Sequence, residues 1–171
     1  MLKSRRLMSD GRIVIIEGTD CTGKTTLANE LARRTGARTA VLHAGPPATN
    51  VALREYVLPL AMADDGWTVI CDRWHLGELV WAELYKRTPL FSHEGIAYVE
   101  IAMLGVGVPI TAVYLHRDET HIQLELLERG ENSPETFQAI DLYKKALAAS
   151  TLSWNIWTLT QALDEIDAVV R

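Results

Sequence analysis

The feature that most constrains the fold is a glycine-rich loop placed between a strand-like run and a helix-like run. Residues 18–25 read Gly-Thr-Asp-Cys-Thr-Gly-Lys-Thr, which satisfies G-x-x-x-x-G-K-[ST]. The preceding residues, 12–17, are mostly apolar and β-branched and predict a buried strand. In the following residues, 26–34, Leu27 and Leu31 have helical spacing. Strand, loop and helix together predict a loop that wraps phosphate groups.

The chemistry of this loop follows from its residue types. Gly18 and Gly23 permit backbone angles that let several N–H groups converge on one anion, and the helix that follows presents its positive dipole end. Lys24 supplies a charge for the β- and γ-phosphates, and the Thr25 hydroxyl is placed to bind Mg²⁺. We therefore predict ATP and Mg²⁺ as cofactors. The predicted nucleotide-binding residues are Gly18, Thr19, Asp20, Cys21, Thr22, Gly23, Lys24, Thr25 and Thr26.

Composition sets the class of protein and excludes several others. The 171 residues suit a single domain with a sizeable core, residues 1–11 being a flexible leader. A net charge of −5 argues against a large basic surface for nucleic acid but not against a small basic cleft. Cys21 and Cys71 lack the spacing of a zinc site. Since no stretch is long and apolar enough to span a membrane, we expect a cytoplasmic protein.

Strand-like and helix-like stretches alternate along the whole chain, which predicts an α/β fold: a five-stranded parallel sheet covered by helices on both faces. We expect the strand order two-three-one-four-five, with ligands at the carboxyl ends of the strands. The predicted strands are residues 12–17, 38–43, 67–72, 109–115 and 154–158. The predicted helices are residues 26–34, 50–63, 75–85, 92–104, 119–129, 133–149 and 161–170.

A second group of polar residues follows the third predicted strand. Asp72 ends that strand and is placed to hold Mg²⁺ or to orient an acceptor oxygen, and Arg73 can form a bidentate pair with phosphate. His43 ends the second strand and is predicted to touch the acceptor or to be structural. Trp74 either stacks on a base or packs in the core. Glu78, one turn after His75, contacts substrate or faces solvent.

These motifs resemble those of thymidylate kinases. Residues 16–26 are similar to the signature E-G-x-D-G-x-G-K-T-T, with Cys21 where that family usually has Gly, and Asp72-Arg73 resembles its D-R-[YFH] motif. The chain looks like the small phage kinases of this kind. The resemblance implies a three-layer P-loop NTPase fold and an ATP-dependent kinase. It also implies that Arg54 lies on a helix that binds the acceptor monophosphate.

The chain departs from this family at two places. Its E-P-G-G-T segment is replaced by His-Ala-Gly-Pro-Pro at residues 43–47, and the lid, around residues 117–134, holds few arginines. We expect Arg129 to be the lid cation that closes on ATP and stabilises the transferring phosphoryl group, with Arg117 as the other candidate. The predicted catalytic residues are Lys24, Asp72, Arg73 and Arg129.

Three functions fit these observations. The favoured one transfers the γ-phosphoryl group of ATP to a deoxynucleoside monophosphate such as dTMP, held by Arg73 and Arg54. The second phosphorylates a hydroxyl acceptor, such as 5-hydroxymethyluracil in phage DNA or a nucleoside, with Asp72 or Asp20 as the carboxylate base. The third is an NTP-binding switch, against which the absence of an N-K-x-D motif argues. The expected partner is a nucleotide-like small molecule, and the sequence leaves a homodimer open.

Overall fold

The computed structural model describes residues 11–45, 52–131 and 134–169, without the side chains of residues 52–55, 93 and 169. Five parallel strands form one sheet in the order β2-β3-β1-β4-β5, so the predicted sheet and strand order are confirmed. The strands are β1 (Arg12–Glu17), β2 (Thr39–His43), β3 (Thr68–Asp72), β4 (Ile110–Leu115) and β5 (Trp154–Trp157). The helices are α1 (Lys24–Thr35), α2 (Ala52–Asp64), α3 (His75–Leu84), α4 (His93–Val106), α5 (Glu119–Glu128), α6 (Pro134–Ala149), α7 (Leu159–Asp164) and α8 (Ile166–Val169).

Helices cover both faces of the sheet. Alternate side chains of each central strand therefore pack into two different hydrophobic clusters, one on each face. Val14 and Ile16 pack with Leu27 and Leu31 of α1 and with residues of α7 and α8. Their neighbours on β1, such as Ile15, belong to a second cluster that includes residues of α2 and α4. A strand that is buried on both faces needs a continuous apolar sequence, as β1 has. The structure is therefore the predicted three-layer α/β fold.

The pairing register brings the ends of three strands to one edge of the sheet. Asp72 at the end of β3 lies opposite His43 on β2 and opposite Ile16 on β1. Glu17, which lies opposite Tyr114 of β4, leads directly into the glycine-rich loop. The two motifs that the sequence singled out therefore meet at the carboxyl edge of the central strands.

The chain departs from the predicted elements near its two ends. The single closing helix predicted over residues 161–170 is wrong, since α7 and α8 are separate. Thr158, predicted as the last residue of a strand, instead caps α7 with Gln161 in a reciprocal capping box, so the helix begins earlier than predicted. Gly11, the last residue of the predicted leader, is buried. Residue 50, the predicted start of the second helix, lies outside the described residues.

Among the residues that the structure describes, no helix is long and apolar enough to cross a membrane. The cytoplasmic location and the homodimer stay predictions.

Candidate active site

The glycine-rich loop connects β1 to α1 in a conformation that needs its two glycines. Gly18 has φ 147° and Gly23 has φ 92°, in the region that side chains disfavour. A Cβ at Gly18 would lie 2.5 Å from the carbonyl oxygen of Leu115, and one at Gly23 would lie 2.7 Å from the Leu159 side chain. Gly23 is also the N-cap of α1. The loop is thus closely packed against neighbouring elements, with the N-terminus of α1 directed at its interior.

Lys24 is buried within this loop, where its ammonium group donates a hydrogen bond to the carbonyl oxygen of Thr19. Thr22 donates to the same carbonyl through its hydroxyl at 2.9 Å. Burial, together with the nearby Arg73 guanidinium, lowers the pKa of Lys24 to about 8. An anion that binds beside this buried ammonium group would stabilise its charged form. Lys24 is therefore suited to the phosphate-binding role predicted for it.

Thr25 and Asp72 form the second part of the site. The Thr25 hydroxyl donates to Oδ2 of Asp72 at 2.9 Å, and Nδ1 of His43 lies 3.3 Å from the same oxygen. Asp72 is buried, and its Oδ1 has no hydrogen-bond partner in the described part of the chain. One hydroxyl and one carboxylate beside a phosphate site fit Mg²⁺, which takes few protein ligands and completes its shell with phosphate and water oxygens. The described residues hold no cluster of three or more His, Cys, Asp or Glu that could bind a metal alone.

Two cavities open at this edge of the sheet. The larger, of about 1040 Å³, extends from the loop to α5 and to the start of α7. Its lining residues are Asp20, Cys21, Thr22, Gly23, Lys24, Thr25, Thr26, Arg73, His116, Arg117, Asp118, His121, Glu125, Arg129, Glu131, Thr158, Leu159 and Thr160. It therefore brings together the predicted nucleotide-binding residues from Asp20 to Thr26 and both candidate lid cations.

The smaller cavity, of about 340 Å³, has walls rich in aromatic side chains. Its lining residues are Asp20, His43, Ala44, Gly45, Tyr56, Arg73, Trp74, Gly77, Glu78, Trp81, Tyr85 and Arg87. Its volume lies in the range of small-molecule sites. Asp20 and Arg73 line both cavities, so the two cavities meet at this pair.

Arg73 occupies a constrained position directly after β3. It has φ 65°, which is rare for a residue with a side chain, and its backbone N–H donates to the carbonyl of Ile16 at 2.9 Å. Its guanidinium forms an ion pair with Asp20 and lies 5.9 Å from the ring centroid of Trp81. The main chain turns sharply here and sends the Arg73 side chain toward the loop.

Glu17 fixes the segment that follows Arg73. Its buried Oε1 accepts the backbone N–H groups of Trp74, at 2.8 Å, and Gly77, at 3.0 Å, and so caps the start of α3. Its Oε2 accepts the Tyr143 hydroxyl at 3.0 Å. The end of β1 therefore positions the start of α3, and with it the Asp72-Arg73 pair.

The predicted lid contains an ion-pair network. Arg117 and Arg129 both pair with the carboxylate of Glu125 on α5, and Arg117 also donates to the carbonyl of Cys21 at 3.0 Å. Cys21, which has φ 60°, packs with Ile122 and other apolar residues of α5 and α6. The tip of the loop and α5 are thus in direct contact.

The remaining predicted site residues have mixed positions. His43 is half-exposed and lines the smaller cavity, whereas Trp74 lines it but is itself buried. Arg54 lies on α2, but its side chain is outside the described residues. Glu78, for which solvent exposure was one alternative, is instead buried beside the smaller cavity. The side chains of Tyr56, Trp81, Tyr85 and Arg87 also line that cavity and were not predicted from the sequence.

Comparison with known proteins identifies the fold. No protein-family model and no curated protein matches the chain. YorR from Bacillus subtilis, solved in complex with phosphorylated GDP, is 22% identical, with a TM-score of 0.71 over 92% of this chain and 95% of YorR. Polyphosphate kinase 2 from Arthrobacter aurescens TC1 is 12% identical, with a TM-score of 0.68 over 96% of this chain and 69% of that protein. The resemblance to thymidylate kinases stays a hypothesis, whereas the α/β fold with its five-stranded parallel sheet is shared with these two proteins.

Proposed function

We propose that the protein is a P-loop kinase that transfers the γ-phosphoryl group of ATP, with Mg²⁺, to a deoxynucleoside monophosphate such as dTMP. The observation that carries this proposal is the pair of cavities that meet at Asp20 and Arg73. A phosphoryl transfer needs a donor site and an acceptor site that face each other across the transferring group. The similarity to a polyphosphate kinase and to a protein solved with a phosphorylated nucleotide supports this chemistry.

The larger cavity is the proposed donor site. The loop amides and Lys24 hold the β- and γ-phosphates, and Thr25 with Asp72 would hold Mg²⁺, which supplies charge neutralisation on the phosphate oxygens. The lowered pKa of Lys24 supports this assignment, because a phosphate group would return the stabilisation that burial removes. The lid cations line the same cavity. We assign Arg129 to the transition state, with Arg117 as the alternative.

The smaller cavity is the proposed acceptor site. Its aromatic walls suit a nucleobase, Trp74 and His43 line it, and Nδ1 of His43 lies 3.3 Å from Oδ2 of Asp72. Arg73, where the two cavities meet, is the proposed ligand of the acceptor phosphate, together with Arg54 on α2. A nucleoside monophosphate arrives already ionised, so positioning by such cations is most of what the protein must supply.

A hydroxyl acceptor is the second candidate function. Two observations favour it: Arg73 is already paired with Asp20, and Asp72 has an oxygen without a hydrogen-bond partner among the described residues. An alcohol must lose a proton during transfer, and Asp72 or Asp20 would accept it. A nucleoside, or 5-hydroxymethyluracil in DNA, would be such an acceptor.

Incubation with γ-labelled ATP and Mg²⁺ separates these functions. The acceptors offered are dTMP, thymidine and DNA that contains 5-hydroxymethyluracil, and a Lys24→Ala variant serves as the control for contaminating kinases. Label in dTDP supports the main proposal, and label in thymidine monophosphate or in DNA supports the second. Slow release of inorganic phosphate with every acceptor unlabelled would contradict both and favour an NTP-binding switch.

A further inference from the structure

Cys21 has a side chain at a point of the glycine-rich loop where the backbone favours glycine. Its φ is 60°, and the other residues of this loop with positive φ, Gly18 and Gly23, are both glycines. A glycine would adopt this conformation with less strain. The Cys21 side chain is nevertheless packed into the protein, with only 8% of the residue exposed. Its contacts are therefore what distinguishes it from a glycine at the same position.

Those contacts are with α5. Cys21 packs with Ile122 and Leu126, and two apolar residues of α6 border the same cluster. Ile122 and Leu126 are the buried residues of α5. The carbonyl oxygen of Cys21 also accepts a hydrogen bond from Arg117, which precedes α5, at 3.0 Å. The side chain and the backbone of one loop residue thus both contact this part of the lid.

The rest of α5 buries little surface. Apart from Ile122 and Leu126, its side chains are exposed or half-buried. Its Glu125 pairs with Arg117 and Arg129, which flank α5 itself, so these ion pairs do not fix the helix to the loop. A helix with so few buried apolar contacts separates from its neighbours at a low cost in free energy. Loss of the Cys21 contact should therefore affect the position of α5.

The position of α5 determines where both lid arginines lie. Arg117 is two residues before the helix and Arg129 is its C-cap. Both line the larger cavity, as Cys21 does. A cation that stabilises a transferring phosphoryl group must be placed closely, because a misplacement of about 1 Å can lower a rate by about 100-fold. A shift of α5 would move both cations relative to the nucleotide phosphates.

We propose that Cys21 is a positioning residue that holds α5, and with it the lid arginines, against the glycine-rich loop. The inference rests on the proposed function, because its kinetic consequence needs phosphoryl transfer. Its structural part, the apolar contact between Cys21 and α5, can be tested without catalysis. Cys21→Gly would retain the loop conformation and remove this contact.

The kinetic test measures single-turnover transfer from γ-labelled ATP to dTMP. We expect Cys21→Gly to lower the rate about tenfold, while Kd for MgATP changes less than about threefold because Lys24 and the loop amides remain. In an Arg117→Gln/Arg129→Gln background, Cys21→Gly should change the rate less than about threefold, since the residues through which it acts are gone. An equal loss in both backgrounds would show that Cys21 acts through the loop alone and would overturn the inference.

Two neighbouring leucines of α5 provide matched variants. Leu126→Ala removes a packing partner of Cys21 and should also lower the rate. Leu127→Ala truncates a side chain of the same helix that is 63% exposed, and should leave the rate unchanged. A measurement of Tm checks that each variant is folded. An equal effect of the two variants would contradict a specific contact between Cys21 and α5.

The thiol of Cys21 reports the same contact without catalysis. Burial raises its pKa, and Cys71, the other cysteine, is buried in the core. Without nucleotide and at about pH 8, reaction with DTNB should be about tenfold faster in Leu126→Ala than in the unmodified protein and unchanged in Leu127→Ala. Equal rates in all three proteins would overturn the inference and leave the proposed function intact. Absence of transfer to dTMP by the unmodified protein would instead overturn the proposed function, and with it the kinetic part of the inference.

Discussion

The Arg73 guanidinium is ion-paired with Asp20 at the place where the two cavities of the site meet. Asp20 belongs to the glycine-rich loop and Arg73 follows the neighbouring strand, so the pair joins the proposed donor and acceptor sites. The contact uses a single oxygen and both side chains reach solvent, which makes it exchangeable for a contact with phosphate.

Replacing Arg73 should show whether the acceptor is an anion, such as dTMP, or a neutral molecule. We expect Arg73→Gln to raise KM for dTMP by about 100-fold, since a charge-assisted contact with phosphate is lost, and to change Kd for ATP by less than about threefold. Steady-state kinetics and calorimetry give the two quantities. Arg73→Lys should restore little of the loss, because Lys cannot form a bidentate pair.

The control for this experiment is Arg38→Gln, whose arginine lies at the surface beside Asp65. An Arg73→Gln variant that keeps its KM for dTMP but loses kcat for thymidine would favour the hydroxyl acceptor instead.

The pH dependence of nucleotide binding should report the protonation of Lys24. Because burial lowers the pKa of Lys24 to about 8, the ammonium group is charged below that pH and binds phosphate directly. Above it, binding must take up a proton, so affinity for ATP should fall by up to about tenfold per pH unit. Calorimetry in buffers of different ionisation enthalpy, at about pH 7 and at about pH 9.5, measures both the affinity and the proton uptake.

Lys24→Ala should abolish this pH dependence as well as most of the transfer activity. Lys144→Ala, at an exposed lysine paired with Asp141, is the matched control.

The lowered pKa of Lys24 also has a consequence for the stability of the ligand-free fold. The unfolded chain keeps the Lys24 proton up to about pH 10.4, so the free energy of unfolding should rise with pH between about 8 and about 10.4. An ATP affinity that is the same at about pH 7 and at about pH 9.5 would contradict the assignment of Lys24.

Much of the fold could be predicted because its determinants are local. The apolar run of β1, the glycines of the loop and the helical spacing of α1 lie within residues 12–35, and each indicates its element without reference to the rest of the chain. The break between α7 and α8 could not be predicted in this way. Ala162 and Ile166, four residues apart, both face the core, so their spacing indicates one continuous helix.

The site residues that lie at strand ends could be predicted from the sequence. Those that are brought to the site by tertiary packing could not. Asp72 lies beside Thr25 because parallel strands end at one edge of a sheet. Tyr143 reaches Glu17 across 126 positions of sequence, and no local pattern indicates that contact. Trp81 and Tyr85 lie one helical turn apart after the Asp72-Arg73 motif. Their spacing indicates an aromatic wall beside that motif, which was not predicted from the sequence.

Removing the charge of Asp72 should weaken the binding of Mg²⁺ rather than the binding of the nucleotide. In Asp72→Asn the amide oxygen can still accept the Thr25 hydroxyl, but the carboxylate charge that suits Mg²⁺ is gone. We expect the Mg²⁺ concentration for half-maximal activity to rise about tenfold or more, while ATP binding without metal is unchanged or tighter. Asp65→Asn, at an exposed carboxylate, is the control. Normal Mg²⁺ dependence in the variant would rule out the metal site.

The two lid arginines can be ranked by single substitutions. We expect Arg129→Gln to lower kcat by about 100-fold, because a cation at the transferring group stabilises charge that develops only in the transition state. Arg117→Gln should lower it less, since Arg117 also donates to the carbonyl of Cys21 and so has a structural contact. Single-turnover kinetics give the rate of transfer. The opposite ranking would move the catalytic assignment to Arg117.

Glu125 should weaken nucleotide binding, because its carboxylate holds both lid arginines in a network that ATP must rearrange. In Glu125→Gln the cations are no longer neutralised, and Kd for MgATP should fall about two- to fivefold, the range expected for partly exposed ion pairs. The effect should shrink as salt is raised, since exposed pairs are screened. Glu128→Gln, on the same helix but outside the cavity lining, is the matched control. Weaker MgATP binding in Glu125→Gln would mean that Glu125 orients the arginines for the nucleotide instead of competing with it.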